Sequence, residues 1–171
     1  MELALSRCVV RSFRKEDAPS LARQADNRKI WLNLRDQFPS PYTLIDAERW
    51  VREAAAMNPQ THFAIAVDGV AIGAIGLRLK TDVRRRTAEI GYWLGEEFWG
   101  RGIATEAVLA LSEFALREFD LVRLYAAVFE GNPASARVLE KAGYEREARL
   151  RKAVVKDGRT LDLMLYALVR D

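Results

Sequence analysis

The order of apolar and polar residues divides the chain into short alternating runs and longer helical ones. Arg7 to Phe13 alternates and predicts a first strand. Glu16 to Arg28 carries helical spacing, with Asp26-Asn27 near its end. Residues 29–42 hold no period and set Trp31, Phe38, Pro39, Pro41 and Tyr42 in an otherwise polar stretch. Thr43-Leu44-Ile45-Asp46 has the form of a capping box, in which two side chains three residues apart satisfy each other's backbone N–H groups. A second helix is therefore expected to begin at Thr43, with Ala47 to Met57 following in helical spacing.

Period two returns from His62 to Val67 and from Val70 to Leu79, with Asp68-Gly69 as the two-residue turn between them. Ala88 to Leu94 predicts another strand. Beyond Gly100-Arg101-Gly102, the residues Ala107, Val108, Leu111, Phe114 and Ala115 share one face of a helix running from Ile103 to Phe119. Val122 to Phe129 is rich in β-formers. Asn132-Pro133 starts a short helix that Gly143 ends. Two last strands, Tyr144–Val155 and Leu161–Leu168, are joined at Lys156-Asp157-Gly158. The order β-α-α-β-β-β-α-β-α-β-β implies an α/β fold, a mixed sheet with helices on both faces.

Composition narrows the classes. A chain of 171 residues has the length of one globular domain, and 50% apolar with 30% charged residues excludes both a disordered tail and a membrane-spanning protein. The best apolar stretch, Phe63 to Leu77, is broken by Asp68-Gly69 and falls short of the ~20 residues that cross a bilayer. No basic region followed by a long apolar one opens the chain, so no signal peptide is expected. The single cysteine, Cys8, forms no internal disulfide, and the cytoplasm is the expected compartment. A net charge of +3 suits a polyanionic ligand but is too small to argue for nucleic acid. Arg84-Arg85-Arg86 has no interleaved aromatics and reads as a solvated hairpin tip. With one histidine, His62, and no carboxylates at metal-ligand spacing, no metal is expected.

The candidate chemistry begins at Trp99-Gly100-Arg101-Gly102-Ile103-Ala104-Thr105, between a strand and a helix. Small residues let a ligand approach the backbone, and the helix start presents unpaired N–H groups with partial positive charge, a combination that binds phosphate. The third glycine of a dinucleotide fingerprint is missing, and so is the Gly-Lys-Ser/Thr of a P-loop.

Ala88-Glu89-Ile90-Gly91-Tyr92-Trp93-Leu94, followed by Phe98-Trp99-Gly100-Arg101-Gly102-Ile103-Ala104-Thr105-Glu106-Ala107, resembles the coenzyme A-binding core of the GNAT superfamily, and within it the RimJ/RimL-like branch. Asn132-Pro133-Ala134-Ser135, Leu139-Glu140-Lys141-Ala142-Gly143-Tyr144, and Asp157-Gly158 with Asp162 and Tyr166 are similar to the branch's downstream motifs. The match is dense over residues 88–168 and general over the first 80. The resemblance implies one GNAT-type domain over residues 1–171. Its sheet would be mixed, mostly antiparallel and twisted, with helices on both faces and a splayed central strand pair that holds coenzyme A. It implies an acetyl-CoA-dependent N-acetyltransferase acting on a primary amine, either a protein N-terminus or a small molecule, by direct transfer. It also allows a homodimer.

The resemblance assigns the pyrophosphate to Gly100, Arg101, Gly102, Ile103, Ala104 and Thr105, next to Trp99. The pantetheine arm goes to the edge of the Ala88–Leu94 strand, ending at Trp93 and Leu94, and to Asn132. Many members carry a general-acid Tyr seven residues after the Asn; here that position is Leu139, and the branch suggests Ser135 instead.

Some roles follow from the chemistry. An amine attacks a thioester only when unprotonated, and Glu89, on the strand face shared with Gly91 and Trp93, is placed to take that proton. The Leu94 N–H would hold the oxyanion. Alternatives stand beside these roles. Glu89 also reads as a carboxylate paired with nearby arginines, Asn132 as a helix cap and Ser135 as a first-turn backbone partner. Lys141 and Arg101 read either as phosphate partners or as solvated cations. Cys8 reads as a buried small residue, and His62, opening a strand, as structural. Trp31, Phe38 and Tyr42 supply an aromatic surface for the acceptor, or belong to the core. The rival function is a non-catalytic acyl-CoA-binding module.

Overall fold

The computed structural model describes residues 1–170; Asp171, the last residue of the expected domain, lies outside them. Among the described residues eight strands form one sheet in the order β1-β2-β3-β4-β5-β6-β8-β7. They are β1 (Glu2–Ala4), β2 (Val9–Arg11), β3 (His62–Val67), β4 (Val70–Leu79), β5 (Thr87–Leu94), β6 (Arg123–Phe129), β7 (Glu145–Lys156) and β8 (Arg159–Val169). Every neighbouring pair is antiparallel except β5 and β6, which run parallel. The helices are α1 (Ala18–Ala25), α2 (Arg28–Trp31), α3 (Leu44–Ala56), α4 (Ile103–Glu118) and α5 (Pro133–Lys141).

Each sheet face has its own core. On one, Ala88, Ile90 and Leu94 of β5 pack with Ile103, Val108 and Leu111 of α4 and Leu139 of α5. On the other, Leu21 of α1 and Ala47, Val51 and Ala54 of α3 cover a floor of small residues, Ala64, Ala71 and Ala74. Small side chains there let the helices lie close to the sheet. A bidentate ion pair between buried Arg11 and Asp17, 2.8 Å at each contact, ties the entry of α1 to β2, and Arg11 also donates to the Gly69 carbonyl in the β3–β4 turn.

Three expectations need correcting. The first strand shrinks from Arg7–Phe13 to Val9–Arg11 and gains a hairpin partner, Glu2–Ala4, that carries no pattern of its own. The helix expected over Glu16 to Arg28 becomes a 3₁₀ turn at Lys15–Asp17 and then α1, which stops at Ala25. It stops because Asp26 turns to accept from the Tyr42 N–H, and Asn27 restarts the chain by accepting from the Lys29 N–H. The stretch expected to be irregular therefore opens with α2. The Thr43 capping box forms, with Thr43 Oγ1 accepting from the Asp46 N–H and the Asp46 carboxylate accepting from the Thr43 N–H. No described helix is long and apolar enough to cross a membrane.

Candidate active site

The ladder between β5 and β6 runs only from Thr87 opposite Arg123 to Glu89 opposite Tyr125. Beyond that register the strands part, since β6 continues along β8 while β5 follows β4. The Gly95 N–H donates to the Ile72 carbonyl at 2.8 Å, so the odd-numbered residues of β5 turn their backbone toward β4. Tyr92 and Leu94 consequently aim theirs into the opened seam. The Trp99 indole N–H donates to the Leu94 carbonyl at 2.7 Å, which leaves the Leu94 N–H as the donor directed at the seam.

The seam opens into a cleft of about 1180 Å³. Trp93, Leu94, Trp99, Gly100, Arg101, Gly102, Ile103, Ala104, Thr105, Asn132, Ser135 and Lys141 all line it, together with Glu89, Phe38 and Tyr42. Trp31 is not in its wall; its ring stacks under the Lys156 ammonium, 3.6 Å from the centroid.

Gly100 and Gly102 hold φ of 73° and 77°, the left-handed region that side chains disfavour, and Gly102 is the N-cap of the 16-residue helix α4. A Cβ at Gly100 would meet nothing within 4 Å, so the backbone there is open to a ligand. The first-turn N–H groups of α4 point toward the same space, with the positive end of the helix dipole behind them. Glu106, in that first turn, accepts from the backbone N–H groups of Ser6 and Arg7, at 3.2 and 2.9 Å, and so fixes the loop after β1 against α4. Arg7 thereby lies over Gly102. It is a cation beside the glycine turn, 3.6 Å from the Glu106 carboxylate, that its place in the sequence, almost a hundred residues away, did not bring to the site.

At the start of α5, Asn132 Oδ1 accepts from the Ser135 N–H at 3.3 Å, so the cap forms. Among the described residues its Nδ2 makes no protein hydrogen bond and remains available to a ligand. Ser135 Oγ lies 2.8 Å from the Tyr92 hydroxyl, which also donates to the Ser135 carbonyl at 3.3 Å. Burial pushes the Tyr92 phenol up to about 12, against a smaller opposing effect of Ser135, so it keeps its proton at neutral pH. Leu139, where a Tyr is usual, is fully buried in the core. The second hydroxyl of the site thus comes from β5, and no local pattern announces the pairing because Tyr92 and Ser135 are 43 residues apart.

On the opposite sheet face, Glu89 accepts from Arg35, from Lys80 Nζ at 3.4 Å and from the Tyr125 hydroxyl at 3.3 Å, with Arg78 at 3.8 Å. The carboxylate is occupied on both oxygens, and this favours the paired alternative over a free base. Arg35 belongs to the segment between α2 and α3, which closes over this face as Phe38 packs on Trp93 and Tyr42, with centroids 5.8 and 4.8 Å apart. Lys156 Nζ donates to Asp36 at 2.9 Å and ties the same segment to the β7–β8 hairpin. His62 also lines the cleft, on this face. Cys8 is buried, which pushes its thiol up to about 11, with a further contribution from Glu106. Among the described residues no group of three or more His, Cys, Asp or Glu is placed to hold a metal.

An open seam at the centre of a mostly antiparallel sheet, a left-handed glycine turn capping the helix beside it, and an Asn-capped helix across it define the acetyltransferase class. The Acetyltransferase (GNAT) domain model matches residues 7–145, and the chain belongs to this family. Among its relatives is YdaF of Bacillus subtilis (strain 168), provisionally named a ribosomal N-acetyltransferase. It is 35% identical over 121 residues, which are 71% of this chain and 65% of that protein. The ribosomal-protein-serine acetyltransferase of Escherichia coli (strain K12) is 29% identical over 84% of this chain and 82% of its own length. RimL, a ribosomal L7/L12 alpha-N-protein acetyltransferase solved with coenzyme A, has the same fold, with a TM-score of 0.85 at 20% identity over 99% of this chain and 98% of that one.

Proposed function

We propose that the chain is an acetyl-coenzyme A-dependent N-acetyltransferase that passes acetyl directly to a primary amine in a ternary complex. The observation that carries this reading is the parting of β5 and β6 inside the cleft that also holds the Gly100–Thr105 turn. The first-turn N–H groups of α4 bind the pyrophosphate, with Arg7, Arg101 and Lys141 as the nearby cations. Backbone groups of Tyr92 and the Asn132 amide pair with the pantetheine arm. The Leu94 N–H stabilises the negative oxygen of the tetrahedral intermediate. Ser135, partnered by Tyr92, protonates the departing thiolate.

RimL and the ribosomal-protein-serine acetyltransferase point to a protein α-amine as acceptor. Such an amine, with a pKa of about 7.7–8.0, is partly neutral at physiological pH, unlike a lysine-type amine near 10.4. Phe38 and Tyr42 offer it an aromatic wall, and a homodimer is part of the proposal. The test is a panel of N-terminal peptides and small amines, read by thiol release from acetyl-coenzyme A. Thiol release with an α-amine peptide is expected. Cofactor binding without turnover on any amine would instead identify a non-catalytic acyl-CoA-binding module.

A further inference from the structure

The single histidine of the sequence stands at the end of a trough that leads to the seam. His62 on β3 lies opposite Gly76 on β4, and Gly76 lies opposite Gly91 on β5. The Leu77 N–H donates to the Thr61 carbonyl, so His62 and Gly76 form the closer-spaced, non-hydrogen-bonded kind of pair, and the imidazole leans over the glycine. A Cβ at Gly76 would fall 2.4 Å from the ring's Cδ2 and 2.9 Å from Nε2; this position must be glycine for the ring to lie there. A Cβ at Gly91 would meet nothing within 4 Å, so the floor between the ring and the seam is bare.

The ring is anchored at one nitrogen. Nδ1 is 3.0 Å from Thr61 Oγ1, whose hydroxyl also lies 3.7 Å from the Met57 sulfur, and Nε2 lies over Gly76; the tautomer with its proton on Nδ1 leaves Nε2 as the acceptor. Trp50 of α3 fixes the ring plane edge-on at 5.2 Å. From the ring above β4 to β5 is one strand spacing, about 5 Å, and from Gly91 to Leu94 is three residues of strand, about 10 Å, a path that a short chain of waters spans. Glu89, the alternative acceptor of the proton, is already occupied by Arg35, Lys80 and Tyr125.

We propose that His62 is the general base of the transfer, drawing a proton from the acceptor ammonium through a short chain of waters along Gly76 and Gly91. This rests on the acetyltransferase reading. The ammonium gives one proton to the first water, and the last water of the chain passes one of its own to Nε2. The freed amine lone pair forms the C–N bond, and collapse of the intermediate breaks the C–S bond. The second proton leaving nitrogen goes to the thiolate by way of Ser135, and the imidazolium returns its proton to solvent. Charged groups on the elements beside the ring that line the same cleft are Asp46, Arg49 and Glu53 of α3, Arg78 of β4 and Glu89 of β5, with Lys29 of α2 and Arg35 and Asp36 of the segment that covers this face. Burial holds the imidazole below its ordinary 6.5, so it is neutral and ready to accept at physiological pH.

The experiment compares two acceptors in the wild type and in His62→Gln: an alkyl amine, protonated at neutral pH, and an amine of pKa below 6, already neutral. With the alkyl amine the variant is expected to lose about 10²–10⁴-fold in kcat at pH 7. With the weakly basic amine it should keep its rate within a few-fold, and stabilisation by coenzyme A should be unchanged. Equal losses with both amines, or no loss with either, would overturn the role. The wild type alone gives a second check, since the alkyl amine should show an acid limb below pH 6.5 that the weakly basic amine lacks; identical profiles would also overturn it. If only an N-terminal peptide is turned over, the same comparison is made on that peptide at pH 6, where its α-amine is protonated, and at pH 9, where it is neutral, and a loss confined to the lower pH is expected. A wild type that binds coenzyme A but releases no thiol with any amine, peptides included, would instead remove the acetyltransferase reading itself.

Discussion

The Tyr92 hydroxyl stands 2.8 Å from Ser135 Oγ, joining a strand on one side of the seam to a helix on the other. If this pair protonates the thiolate, Ser135→Ala slows departure of a thiol whose pKa is near 8.5. The defect should shrink with an acyl donor of more acidic thiol. Tyr92→Phe should show the same donor dependence at smaller size, about 2–10-fold, the worth of one neutral hydrogen bond. Rates measured across a series of acyl thioesters decide it; donor-independent losses would remove the pair from the chemistry.

Gly102 caps α4 at φ 77°, and a Cβ there would come 3.4 Å from the Arg7 side chain. Gly102→Val should block the approach of phosphate and abolish stabilisation by coenzyme A, which otherwise reaches about 2.7 kcal/mol at a hundred times Kd. Thermal melts with and without the ligand give the answer. A folded variant stabilised as strongly as the wild type would place the phosphates elsewhere.

Asn132 has two separable duties. Asn132→Ala should cost about 0.5–2 kcal/mol of stability through the lost cap and also weaken coenzyme A. Asn132→Ser restores the cap without an amide, so it should recover stability but not affinity. Denaturant midpoints and calorimetric titration read the two duties separately.

His62 should leave a mark on stability that needs no substrate. Burial lowers its folded-state pKa below 6.5, so the unfolded chain binds the extra proton first as pH falls. Its contribution is fully present above 6.5 and is lost as pH falls through 6.5 toward the lower folded value. Urea midpoints at pH 7.5 and 5.5 should drop further for the wild type than for His62→Gln; equal drops would mean that the ring is not buried in its neutral form.

The parts of the fold legible in the sequence were those with local causes. β3 and β4 have the bounds that alternation and the Asp68-Gly69 turn imply, and α3 starts where its capping box sits. β1 was illegible because three residues carry no period, and what holds them, pairing with β2 and the packing of Leu3 on the core, is non-local. The Gly100–Thr105 turn, Asn132 and Ser135 could be singled out because each lies in a contiguous motif. The partners of Glu89 and Ser135 could not, since Arg35 and Tyr92 reach them across 54 and 43 residues. His62 read as a strand opener because the two glycines that give it reach lie on other strands.

The parted strands carry a consequence for the protein's persistence in a cell. A sheet divided at its middle exposes two facing edges of backbone, the feature by which unrelated chains pair and aggregate. On the proposed function, the arm of the acyl donor closes both edges, so the ligand acts as a missing strand as well as a reactant. Protein starved of donor is then the form most exposed to proteases and self-association. Abundance, and not only turnover, would follow the metabolic supply of acetyl groups.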